Sequence, residues 1–166
     1  MAHTLIYWGV REKRRENKDN NRLNDREQAI VAWKRALELD PDLSEARVSL
    51  IAALLAAGRR DDACAQMNEL LGRNPAQPAV KSLLDRLLAA SSAGEREAAS
   101  AELANGRALA IGGDATAAGH LQRAFRTFAL GASDRRACLA ALCDVLHAAN
   151  KPKLEAAWRE VARALE

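Results

Sequence analysis

Aromatic residues are scarce in this chain, 4% of 166 residues, while hydrophobic residues as a whole reach 49%. Alanine alone supplies roughly a fifth of the sequence; this balance argues against a β-sandwich and for helices packed on helices. Cysteine is also sparse. The three present, Cys64, Cys138 and Cys143, are an odd number in well-separated places, which excludes a disulfide framework and suits a reducing compartment. No segment approaches the roughly 20 consecutive apolar residues that span a bilayer. The apolar run Leu5 to Val10 is shorter than the core of a secretory leader, and the basic residues follow it instead of preceding it, so no leader is expected. Nor does either charge dominate: 25 basic residues face 22 acidic ones, a net of +3. A cytoplasmic bacterial protein is the default expectation.

What the chain does contain is a spacing. The stretch Glu27 to Pro41, EQAIVAWKRALELDP, reads as an amphipathic helix with small residues at Ala29, Ala32 and Ala36, one tryptophan at Trp33, and a proline just past its end. At an offset of 34 residues, Ala29, Trp33, Ala36 and Pro41 are followed by Ala63, Met67, Leu70 and Pro75. Self-similarity at such a period marks stacked helical hairpins, each burying its apolar face only against its neighbours. At a close helix crossing a Cβ is all that fits, and a larger neighbour, Trp33 or Met67, fills the gap alongside. A proline cannot continue a helix and restricts the residue before it, so Asp40-Pro41 and Asn74-Pro75 turn the chain into the next hairpin.

In these residues, and in Leu37, Leu50, Gly58 and Leu70, the chain resembles the tetratricopeptide repeat family. The unit from Ser44 to Pro75, with its turn at Gly58 to Asp61, fits the family pattern best. Two departures stand inside it: Ile51 where the family usually has a small residue, and Arg47 where it favours a large apolar one. The resemblance implies an all-α, right-handed α-solenoid of antiparallel helical hairpins.

About nine helices are expected along one domain, 1–166. They run from Ala2 to Arg15, Asp25 to Leu39, Ser44 to Ala57, Asp61 to Gly72, Pro78 to Ser91, Ser92 to the Gly112-Gly113 pair, Asp114 to Leu130, Ser133 to Ala149, and Pro152 to Leu165. Asn24 with Glu27, and Ser92 with Glu95, have the spacing that satisfies free amides at a helix start. The small-large-small pattern returns weakly as Ala117, Leu121, Ala124 and as Ala157, Val161, Ala164. That parity makes residues 24–75 the best-matching repeats and 76–166 an extra helix followed by two divergent hairpins. An alternative pairs the fifth helix with the sixth and the seventh with the eighth, leaving the ninth as a cap.

Catalytic groups are hard to find. Cys143 and His147, at i, i+4, could form half a zinc site or a thiol with its base, but no further ligands stand near them, and a core edge is the simpler reading. The glycines of IGGDATAAGH lack a phosphate-loop ending and follow a helix. The carboxylates Asp61, Asp62, Glu95 and Glu97 sit at helix starts, where the dipole favours negative charge. No catalytic residue, metal or cofactor is expected.

Binding is better supported. On the third expected helix Leu50, Ile51 and Leu54 form one apolar stripe, and Val48, Ala52 and Leu55 form a second at i, i+4, i+7, so the helix must be covered on more than one side. By resemblance, first helices of hairpins line a concave groove, which would take a peptide or helix of a partner on the second stripe, with Lys81 nearby. The other reading has the first or fifth helix packing over that stripe. The asparagines and Lys-x-x-x-Arg pair of family members that clamp a chaperone tail are not reproduced. Between Arg11 and Leu23 six basic residues face three acidic ones, while the rest of the chain balances; Arg11, Lys13, Arg14 and Arg15 are therefore candidate contacts for an anionic partner. Without interleaved aromatics this segment does not favour nucleic acid. A scaffold or adaptor for another protein is the expected function. Self-assembly into a homodimer or array through Tyr7 and Trp8 is the alternative, and a metal or thiol site the least supported.

Overall fold

A computed structural model of the chain describes residues 24–165, and these hold eight helices and no strand. The first described helix, α1, covers 24–39. It is followed by α2 (Ser44–Ala56), α3 (Arg60–Arg73), α4 (Val80–Ala89), α5 (Ala93–Ile111), α6 (Ala117–Arg126), α7 (Ala132–Ala148) and α8 (Pro152–Ala164). They correspond to the second through ninth helices expected from sequence. The expected helix from Ala2 to Arg15, and with it Arg11, Lys13, Arg14, Arg15, Tyr7 and Trp8, lies outside the described residues.

One helix, α6, is shorter than its pattern suggests at both ends, for local reasons. Asp114 accepts hydrogen bonds from the backbone N–H (2.8 Å) and hydroxyl (2.8 Å) of Thr116, holding a turn that delays α6 to Ala117. At the other end Phe128 takes φ 52°, left-handed backbone that no helix continues through, and the chain leaves α6 after Arg126.

The helices pair as hairpins: α2 packs on α3, α5 on α6, and α7 on α8. The first helix of each pair ends in the same way. Gly58, Gly113 and Asn150 have φ 72°, 70° and 52°, and the next residue's N–H reaches back to a carbonyl of the last turn: Arg59 to Leu54 (2.9 Å), Asp114 to Leu109 (3.0 Å), Lys151 to Leu146 (3.0 Å). This left-handed cap reverses the chain tightly enough for the second helix to fold back. At α5 the start is fixed too, by a reciprocal capping box of Ser92 and Glu95.

Between hairpins, α4 packs against both α2 and α3, and α7 packs against both α6 and α5. Thus α4 occupies the place of a further first helix. The next helix in sequence, α5, pairs with α6 rather than with α4, and Arg135 of α7 pairs with Asp85 of α4. The connection Phe128 to Leu130, between α6 and α7, is itself buried. Arg60, at the start of α3, spans the junction with one guanidinium. It donates to Leu87 O at the end of α4 (3.3 Å), to Glu95 at the start of α5 (2.5 Å) and to Thr127 O at the end of α6 (2.7 Å). The buried apolar side chains form one cluster running from Ile30 to Leu165.

The small residues sit where close approach demands them. Ala63, Met67, Leu70, Ala117, Leu121 and Ala124 are fully buried. Opposite α6, Gly106 of α5 lies so near that an added Cβ would stand 2.8 Å from Leu121 Cγ. In α1 the pattern is looser: Ile30 is buried, Ala29 and Ala36 are half-buried, and Trp33 remains 38% exposed.

Candidate interaction groove

The two stripes of α2 part company as their spacing requires. Leu50, Ile51 and Leu54 point into the α2–α3 hairpin and are at most 1% exposed. Val48, Ala52 and Leu55 are each half-buried, with Val48 and Leu55 resting on the core. The flank of the second stripe is defined by α4, whose Arg86 donates to the Ala52 carbonyl at 3.4 Å. Near the C-terminal end of α2, Arg26 of α1 donates to Ala56 O (3.3 Å), and Arg59 bonds Glu27 (3.4 Å) and Asp62 (2.5 Å). The stripe is therefore an apolar strip with a charged rim, borne by a helix held on its other side by the hairpin.

Both departures from the family pattern have a physical account. Arg47 is 6% exposed, and its guanidinium reaches across the hairpin to Gln66 Oε1 (2.8 Å) and back to Pro41 O (2.8 Å), tying the α1–α2 turn to α3. A buried charge is tolerated when its donors are occupied in this way. Ile51 is fully buried in the hairpin and contributes apolar area.

Lys81 is exposed and lines a recess of 160 Å³ with Asp85, Ala132, Arg135, Arg136 and Leu165, a lining that includes none of the three stripe residues. Burial pushes the Cys143 thiol up, and His147 Nδ1 lies 3.2 Å from Glu155, a buried carboxylate that Arg159 also engages at 2.6 Å. The Cys138 thiol donates to Leu121 O at 3.2 Å and is pushed up to about 12, chiefly by burial. Among the described residues no group of three or more His, Cys, Asp or Glu could hold a metal ion. No helix among them is long and apolar enough to cross a membrane.

One feature escaped the sequence. A cleft of 260 Å³ lies between α3 and α8, bounded by Asn68, Leu71, Pro75, Leu154 and Trp158. Trp158 is set edge-on to Phe125, ring centroids 5.4 Å apart at 86°, and carries the guanidinium of Arg126 over its face at 5.9 Å. Its walls come from helices remote in sequence, so no local spacing announces it.

Residues 22–87 match the model of the tetratricopeptide repeat family, and that segment, holding α1 to most of α4, is a tetratricopeptide repeat region. Such repeats generally mediate protein–protein interaction and are typically not catalytic. No curated protein and no solved structure matches the chain.

Proposed function

From the tetratricopeptide repeat over residues 22–87, we propose that this chain is a non-enzymatic adaptor that holds a peptide or helix of another protein against the second stripe of α2. The observation that carries the reading is the half-buried strip Val48, Ala52 and Leu55, backed by a rigid hairpin and flanked by Arg86 of α4. An amphipathic segment laid along it would bury its own apolar residues at i, i+4, i+7 and meet charge at the rim. Rigid backing lowers the ordering cost of such binding. All three cysteines are free thiols, which accords with a cytoplasmic setting. The chain is taken as one domain, 1–166, in which 24–75 are the best-matching repeats and 76–166 add an extra helix and two divergent hairpins.

A photo-crosslinking side chain in place of Ala52 tests this in native lysate. One dominant polypeptide should be captured there and not by the same group in place of Glu69, an exposed residue of α3. Equal capture at both positions would contradict the proposal.

A further inference from the structure

Two helices reach the C-terminal half of α2 with one arginine each. Arg86 of α4 donates to the Ala52 carbonyl at 3.4 Å, and Arg26 of α1 donates to the Ala56 carbonyl at 3.3 Å. These acceptors are one turn apart, about 6 Å along the axis. Ala52 belongs to the second stripe and Ala56 follows Leu55, so both guanidiniums stand beside the apolar strip. Both arginines are exposed, and neither forms an ion pair among the described residues. The acids near them do not neutralise them. Glu27 and Asp62 are bonded by Arg59, and Asp85 by Arg135. Asp25 is exposed and pairs with neither arginine, and Glu45, in the first turn of α2, stands about 10 Å along the axis from Ala52.

We infer that the segment this strip receives is acidic: an internal amphipathic stretch of a partner protein, apolar at i, i+4 and i+7, whose side-chain carboxylates on one flank pair with Arg26 and Arg86. The inference rests on the groove reading proposed above and adds the charge of the occupant. Carboxylates three or four residues apart on a helix stand about 5–6 Å from one another, the interval between the two carbonyls that the arginines now hold. The present bonds are also long, against a usual N–H···O distance of about 2.9–3.0 Å, so little is lost when a carboxylate replaces them. A charge-assisted bond is shorter and about twice as strong. A basic segment would instead bring like charge to two unpaired guanidiniums. Because both arginines are exposed, salt screens the attraction.

The test uses three synthetic helical peptides with leucine at i, i+4 and i+7 and with Glu, Gln or Lys at the flanking positions, each amidated at its C-terminus so that only side-chain carboxylates are offered. Each is titrated into the full chain by fluorescence anisotropy at low and high salt, and each is crosslinked to a photoreactive side chain in place of Ala52. The Glu peptide should be captured there and bind about fivefold tighter than the Gln peptide at low salt, as two exposed ion pairs allow, with the Lys peptide weakest. High salt should narrow the difference. In the Arg26→Gln, Arg86→Gln double variant the Glu and Gln peptides should bind alike, and Arg86→Glu should turn the preference towards Lys. Both positions are exposed, so these variants keep the fold. Equal affinities in the parent, a preference for Gln or Lys, or a Glu preference that survives the double substitution overturns the inference, while capture at Ala52 leaves the groove reading standing. If no peptide is captured at Ala52, the groove reading falls and the inference falls with it.

Discussion

Gly106 shows how much a single residue decides. Alanine has the higher helix propensity, by about 1 kcal/mol in a helix interior. At this crossing, however, its Cβ would meet Leu121 Cγ at 2.8 Å, and Leu121 is fully buried with nowhere to retreat. Overpacking of that kind costs about 1–3 kcal/mol, so Gly106→Ala should lower the chemical-denaturation free energy. Gly72→Ala, on α3 with open space around it, should raise it slightly. The cysteines supply a second residue-scale expectation. Burial raises the thiols of Cys64, Cys138 and Cys143 above their ordinary value of 9.0, to about 12 for Cys138. Unfolded thiols ionise first, so stability held below pH 9 should fall as pH climbs from about 9 towards 12. Cys138→Ala should flatten that decline in a series of melts.

Among the elements, three hairpins share one reversal, the left-handed cap at Gly58, Gly113 and Asn150. An alanine at Gly113 would meet nothing within 4 Å, so its penalty is backbone strain alone, about 1–2 kcal/mol. Gly113→Ala should thus lower the urea midpoint with the slope unchanged, whereas Asn150→Gly should raise it, adding about a few tenths of a kcal/mol to the unfolding free energy. These caps also explain what could be read in advance. The offset linking Ala29 to Ala63 exposed α1 and α3, because both keep small residues and a terminal proline at equal spacing. The later reversals fall at unequal intervals and one uses asparagine, so no period reveals them. The boundaries of α6 were illegible for another reason: Asp114 and Phe128 act through a side-chain turn and a backbone angle that apolar spacing does not record.

At the scale of the molecule, one guanidinium links four helix ends. The Arg60 side chain is 13% exposed, and Arg60→Met would keep its stem while stranding the Leu87 and Thr127 carbonyls, a loss of about 2 kcal/mol. A shallower urea slope in that variant would show the two ends of the array unfolding separately. Long-range contacts of this kind were beyond the sequence, as was the α3–α8 cleft, since each joins residues with no periodic relation. The double stripe on α2 was legible, because 3.6-residue spacing alone separates Leu50, Ile51 and Leu54 from Val48, Ala52 and Leu55. What covers the second stripe decides the central claim. Leu55→Glu puts a charge on it, and circular dichroism with partner affinity on the same variant is the direct measurement. The account predicts retained helicity and cooperative melting with binding weakened by more than about tenfold. Unchanged binding, or collapse of the fold, would contradict it.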